Sequence, residues 1–191
     1  MATLPAFSTL KKNYPSKSAL PARALLDGIG GQVRQSLHDD VNTCALRMSW
    51  CLNESGAPLL HTGGLYVLSG ARAVMSPRDH RPPPPISRFI IRVLDMKTYL
   101  ERVFGKGELI YDARTDPMKV RLGGRRHVQG IIVFEWLGPP REFGATGHVD
   151  LFNVIDRGPT MMPQFTPACE GECYWLHDPG PMIAHLWEAR P

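Results

Sequence analysis

Residues 130–136, Gly-Ile-Ile-Val-Phe-Glu-Trp, carry the strongest strand signal in the chain. The run is short, continuous and apolar, so the strand it predicts is buried on both faces. Residues 88–93 (Arg-Phe-Ile-Ile-Arg-Val) are rich in β-branched side chains and read as a second strand. Residues 109–111 and 183–187 read as shorter ones, and residues 65–68 add another short strand. Residues 148–153 alternate, which places His148, Asp150 and Phe152 on one face of a strand beside 131–136. Helical patterns dominate the first half and strands the second. That order predicts an α+β fold with an antiparallel sheet.

The main helix is expected over residues 42–53, Asn-Thr-Cys-Ala-Leu-Arg-Met-Ser-Trp-Cys-Leu-Asn. Asn42 or Thr43 can cap it, because a short polar side chain accepts a bond from a free N–H. Cys44, Met48, Cys51 and Leu52 follow at helical spacing and share a face. The first-turn N–H groups have no helical partner and carry partial positive charge. A thiol at such a terminus is easier to ionise, and the thiolate is the nucleophile. The opposing reading is a cysteine that fills the core, which is common for free cysteines. Cys51 is two turns further on, about 10 Å away. It is read as core, and a disulfide to Cys44 is out of reach.

The rest of the chain is punctuated by loops. Residues 1–22 hold Pro5, Pro15 and Pro21 and read as an N-terminal arm with one short helical turn. Residues 23–37 read as a short helix and a turn at Gly30-Gly31 leading to the main helix. The proline run 82–85 is expected to be extended and connecting. Asp95 is expected to cap a helix over 96–104. The 191 residues suffice for one well-buried core, so a single domain over 1–191 is expected. No apolar run is long enough to span a membrane, so no membrane insertion is expected. The N-terminus lacks the apolar stretch of a signal peptide.

The net charge of +4 favours an anionic partner. Its densest group, Arg121, Arg125, Arg126 and His127, reads as a solvated turn between strands. No nucleic-acid-binding signature is present. Of the four cysteines, Cys169 and Cys173 form a Cys-Glu-Gly-Glu-Cys segment. It is open to a small disulfide loop, a metal half-site or two free thiols. A disulfide fits best and implies an oxidising compartment. Two ligands do not complete a zinc site, and no metal or other cofactor is expected.

A thiol nucleophile needs a base. Of the seven histidines, His148 stands apart, because it opens a strand directly after Gly147. A histidine on a sheet facing a helix N-terminus is what a Cys–His dyad requires.

The order of these segments resembles a known family. Residues 42–53 with Gly56-Ala57-Pro58, the Gly30-Gly31-Gln32-Val33 turn, and Arg92-Val93-Leu94-Asp95-Met96 before Tyr99-Leu100 carry the likeness. So do Gly130-Ile131-Ile132-Val133, Gly147-His148-Val149-Asp150-Leu151-Phe152-Asn153, the Cys-x-x-x-Cys of 169–173 and the closing Leu186-Trp187. From about residue 25 to 188 the chain is similar to the fourth family of type VI secretion amidase effectors. The resemblance implies a papain-like, NlpC-type fold, with the cysteine helix packed on an antiparallel sheet. It implies a peptidoglycan stem-peptide substrate, cut between D-glutamate and meso-diaminopimelate. It also implies export from the cytoplasm by the type VI machinery into the periplasm of another bacterium, and a cognate immunity protein that plugs the site. By position Cys44 matches the nucleophile and His148 the base. The family places an aspartate in the middle of the Cys-x-x-x-Cys loop, where this chain has Gly171. Glu172 is the preferred orienting residue, with Glu170, Asp150 and the more distant Asp156 as alternatives. A papain-like acyltransferase, a catalytically idle wall-binding module, and a redox or metal protein built on Cys169 and Cys173 are the competing functions.

Overall fold

The computed structural model describes residues 1–60, 63–71, 87–115, 125, 127–138, 147–155 and 182–190. Among these described residues five helices run α1 (Phe7–Asn13), α2 (Ala22–Ile29), α3 (Gly31–Ser36), α4 (Cys44–Glu54) and α5 (Val93–Phe104). Six strands among the described residues run β1 (Val67–Ser69), β2 (Arg88–Ile90), β3 (Glu108–Asp112), β4 (His127–Trp136), β5 (Gly147–Ile155) and β6 (Met182–Glu188). The fold is α+β, as expected. One sheet has the order β3-β6-β4-β5 with antiparallel pairing throughout, and β1 and β2 make a separate antiparallel pair.

The strand β4 is the axis of the larger sheet, because it pairs with both β5 and β6. Its alternate residues serve two cores, which is why the sequence there is apolar without a break. Ile131 and Val133 join Val149 and Leu151 of β5 against Cys44, Met48, Cys51 and Leu52 of α4 and Met96 and Leu100 of α5. Val128, Ile132 and Phe134 pack with Phe152, Met182, Ala184 and Leu186 in the other. Each fully buried aliphatic side chain contributes about 1.5–3 kcal/mol, so β4 is fastened from both sides.

The helix α4 is buried almost all round, with Ala45, Leu46, Arg47, Met48, Ser49, Cys51 and Leu52 enclosed. Polar side chains pin it. The Ser49 hydroxyl accepts the Ile90 N–H at 3.0 Å and donates to the Ile90 carbonyl at 3.3 Å. Asn53 Nδ2 donates to the Arg88 carbonyl at 3.0 Å. Leu10 of α1 accepts from Cys51 Sγ at 3.2 Å, so the N-terminal segment lies against the same helix. Burial pushes the Cys51 thiol up to about 12, which suits a core residue.

Local differences from the sequence reading have physical causes. The turn at Gly30 and Gly31 has φ of 64° and 58° and opens an additional helix, α3. A Cβ on Gly31 would meet the Ala71 backbone nitrogen at 2.4 Å, so only glycine fits that approach. Gln32 Oε1 then accepts the Ser69 N–H at 3.1 Å. The strand expected over 88–93 stops at Ile90, matching its three-residue partner β1, which itself runs Val67–Ser69 rather than 65–68. Asp95 does not cap the following helix. The helix starts at Val93, with Arg92 accepting from the Met96 N–H at 3.0 Å, and Asp95 Oδ2 accepts instead from the Tyr66 N–H at 3.3 Å. Within the basic group, Arg125 is paired with Glu108 at 2.6 Å and Glu188 at 2.5 Å. The proline run 82–85 lies outside the described residues.

Ser49→Ala should lower the unfolding free energy by about 1–3 kcal/mol, because it leaves the buried Ile90 N–H without an acceptor. Urea denaturation of the two proteins checks this.

Candidate active site

Cys44 is the first residue of α4 and is buried, with 5% of its surface exposed. Its own N–H is not free, since Asn42 Oδ1 accepts it at 3.1 Å. The expected cap is thereby corrected. Asn42 bonds two residues on, as in an Asx turn, rather than to a first-turn N–H further in. Thr43 occupies the N-cap position without a side-chain cap bond. Its hydroxyl accepts instead from Arg47 Nε at 2.9 Å.

His148 stands near the start of β5, opposite Phe134 of β4, and the two rings are stacked at 6.3 Å with a 19° interplanar angle. The imidazole lies beside Asp150 and under the electrostatic influence of Cys44. Its Nε2 lies 3.4 Å from Asp150 Oδ2. Burial acts to lower the His148 pKa, but the influence of Asp150 and Cys44 outweighs it, and the ring is raised to about 10. The direction of that shift favours the imidazolium form beside the cysteine.

Asp150, two residues on, is 3% exposed. Its Oδ1 accepts the Leu151 N–H at 2.7 Å. Burial, and then the charge of this carboxylate, pushes the Tyr14 phenol well above its ordinary range. Arg47, one turn along α4 from Cys44, is 2% exposed. Its Nη1 donates to the carbonyls of Pro15 at 2.6 Å and Ser16 at 3.1 Å. Burial lowers the Arg47 pKa, and the charges of Tyr14, Asp150 and Cys44 oppose that. Cys44, Arg47 and Asp150 are thus buried, with the partly exposed His148 beside Asp150.

The sequence-predicted residues fall into two groups. Cys44, His148 and Asp150 are brought together. Glu170, Glu172, Gly171, Asp156, Cys169 and Cys173 lie outside the described residues, as do His61, His80 and His177. His127 opens β4 and faces Asn153 Oδ1 at 2.9 Å, and His185 is on β6 beside Trp187. Tyr14 and Arg47 were missed by the sequence reading. Arg47 had a signal, a lone cation inside an apolar helix, which demands buried partners. Tyr14 had none beyond Pro15, which holds the preceding residue extended and ends α1 there. Among the described residues no group of three His, Cys, Asp or Glu is placed to hold a metal ion. No described helix is long and apolar enough to cross a membrane.

Residues 41–173 match the family of type VI secretion system amidase effector protein 4. Among solved structures, the Salmonella typhimurium effector–immunity system of this type, in its selenomethionine variant, superposes with a TM-score of 0.63 at 25% identity. The match covers 97% of this chain and 98% of that one. The effector–immunity complex from Enterobacter cloacae gives a TM-score of 0.61 at 22% identity, covering 97% of this chain and 99% of its counterpart. The Enterobacter cloacae effector alone gives 0.59 at 22%, covering 100% of both chains. The two Enterobacter likenesses speak for the fold. No curated protein matches the chain.

An imidazolium between a thiol and a carboxylate can hold a thiolate and later hand on a proton. Its titration is the direct readout. In the folded protein the His148 ring should stay protonated through neutral pH and lose its proton near pH 10. In Cys44→Ala the midpoint should fall, because the raising influence of Cys44 is gone. Ring chemical shifts followed by NMR across pH check both.

Proposed function

The chain belongs to the family of type VI secretion system amidase effector protein 4, and from that membership we propose that it hydrolyses peptidoglycan stem peptides with Cys44 as nucleophile. The bond cut is the amide between γ-D-glutamate and meso-diaminopimelate. The observation that carries this reading is Cys44 at the N-terminus of α4 with His148, whose ring it influences, and His148 Nε2 3.4 Å from Asp150 Oδ2.

The Cys44 thiolate attacks the amide carbon. The carbonyl oxygen takes the negative charge and meets the Cys44 backbone N–H in place of Asn42 Oδ1. His148, already protonated, gives its proton to the diaminopimelate amine as the C–N bond breaks. The neutral imidazole then removes a proton from water, and the hydroxide releases the glutamyl group from the thioester. Asp150 fixes the ring so that its other nitrogen faces the thiol, and steadies the imidazolium. No metal or organic cofactor enters these steps.

The biological setting follows from the same membership. The whole chain acts as one domain, travels from the producing cell through the type VI machinery, and works in the periplasm of a target bacterium. There an oxidising milieu favours a Cys169–Cys173 disulfide. A cognate immunity protein neutralises it by covering the site, as the neighbouring structures are effector–immunity complexes. The net charge of +4 assists approach to an anionic wall or an acidic inhibitor.

Digestion of purified muropeptides, read by mass spectrometry, tests the reaction and the bond. The wild type should release fragments ending in γ-D-glutamate, and Cys44→Ala and His148→Ala should release none. An inactive wild type, or an active Cys44→Ala, would overturn the reading. Asp150→Asn should lower kcat by about 10²–10⁴-fold, while Glu172→Gln stays near wild type. The reverse ranking would move the orienting role to Glu172.

A further inference from the structure

Resting on the nucleophile role assigned to Cys44, we propose that Arg47 is a further positioning residue of the site. It sets a fixed, buried cation beside the nucleophile and locks the first turn of α4 to the N-terminal segment.

The fixing is a matter of geometry. Arg47 is 2% exposed and stands one turn along α4 from Cys44. Long side chains on a helix lean toward its N-terminus, and residues three apart are neighbours on its surface. Arg47 leans that way, since its Nε donates to the Thr43 hydroxyl at 2.9 Å. Thr43 directly precedes the nucleophile, so the guanidinium is turned back to the level of Cys44. The far end is held as well. Nη1 donates to the carbonyls of Pro15 at 2.6 Å and Ser16 at 3.1 Å. The planar fork is thereby gripped at both ends, and its charge has one place to sit.

That charge is not cancelled by its own partners. All three acceptors are neutral oxygens, and among the described residues no carboxylate pairs with Arg47. Arginine keeps its proton inside proteins, and a cation this deep is costly unless buried anions lie near. The site supplies them. Asp150 is 3% exposed and Cys44 is 5% exposed. Once the thiol ionises, these two carry two negative charges and the His148 imidazolium only one positive. Arg47 brings the buried group to neutrality. Burial acts to lower the Arg47 pKa, and the charges of Tyr14, Asp150 and Cys44 oppose that. The titratable groups that face Arg47 are thus Cys44 on its own helix, Asp150 on β5 with His148 beside it, and Tyr14 after α1. The other elements packed on α4 bring apolar side chains, Ile90 of β2 with Met96 and Leu100 of α5.

The rate of Cys44 alkylation by iodoacetamide, followed across pH with peptide mapping, tests the role. Arg47→Gln removes the charge and keeps a donor. It should slow Cys44 labelling at neutral pH about tenfold, as the loss of a neighbouring opposite charge does. The deficit should close at strongly alkaline pH, where the thiol is ionised in either protein. Arg47→Lys loses the fork and keeps the charge, and should stay within about threefold of wild type. An arginine that only braces the fold would leave the Gln and Lys variants equally slow, or leave a deficit that persists at every pH. Either result, or an Arg47→Gln protein as reactive as wild type at neutral pH, would overturn the proposal. Should Arg47→Gln fail to fold, Thr43→Val decides. The Thr43 side chain makes no cap bond, so this change spares the helix start and removes the acceptor of Arg47 Nε. Labelling at neutral pH should slow in Thr43→Val and recover in Thr43→Ser, and a Thr43→Val rate equal to wild type would refute the role. No substrate enters these measurements. A wild type inactive on muropeptides would sink the amidase reading while the labelling rates still decide the place of Arg47.

Discussion

An imidazole held between a thiol and a carboxylate is the interaction on which the site depends. Burial by itself would strip the proton from His148, since a charge taken out of water is costly. Asp150 and Cys44 beside the ring reverse that balance and raise it to about 10. The arrangement works only while all three groups stay in register. Removing one leaves the others as unpaired buried charges, which costs more than the pair ever contributed. The fold has to fix a helix end and a strand end to within a fraction of an ångström of each other.

The packing meets that demand from several directions. Ser49 and Asn53 tie α4 to β2, and Cys51 with Leu10 ties it to α1. The strand β5 is held in register by β4 along its whole length, so the positions of His148 and Asp150 follow from apolar pairing at Ile131–Leu151 and Val133–Val149. A one-residue slip would turn both side chains to the opposite face. Arg47 adds the third tie, between the first turn of α4 and the N-terminal segment. A buried arginine would be a liability in a helix of this kind, but here each bond it makes reaches a residue that frames the site.

Much of this was legible beforehand because short-range pattern and final packing agree. The unbroken apolar run of β4 announced a strand enclosed on both sides, and the alternation in 148–153 announced its partner. Cys44 was legible because a helix start beside a cysteine has a local signature. The missed features have in common that their cause lies far away in sequence. The six-residue helix α3 is too short to show a period, and its start depends on two glycines fitting against Gly70 and Ala71. The helix α5 begins before Asp95 because that carboxylate is used by Tyr66 in a different element. The aspartate the family pattern asks for is absent at Gly171, yet a carboxylate on the histidine's own strand reaches the ring.

The comparison of the two helix cysteines is the most direct measurement. Cys44 and Cys51 lie on the same helix and in the same core, and differ in that one faces His148 and the other faces the Leu10 carbonyl. Treating the native protein with iodoacetamide at neutral pH, followed by peptide mapping, separates them. The expected result is rapid alkylation at Cys44, none at Cys51, and a marked slowing at Cys44 in His148→Ala. Equal labelling of the two cysteines, or a Cys44 rate indifferent to the loss of His148, would contradict a thiolate held by the imidazolium.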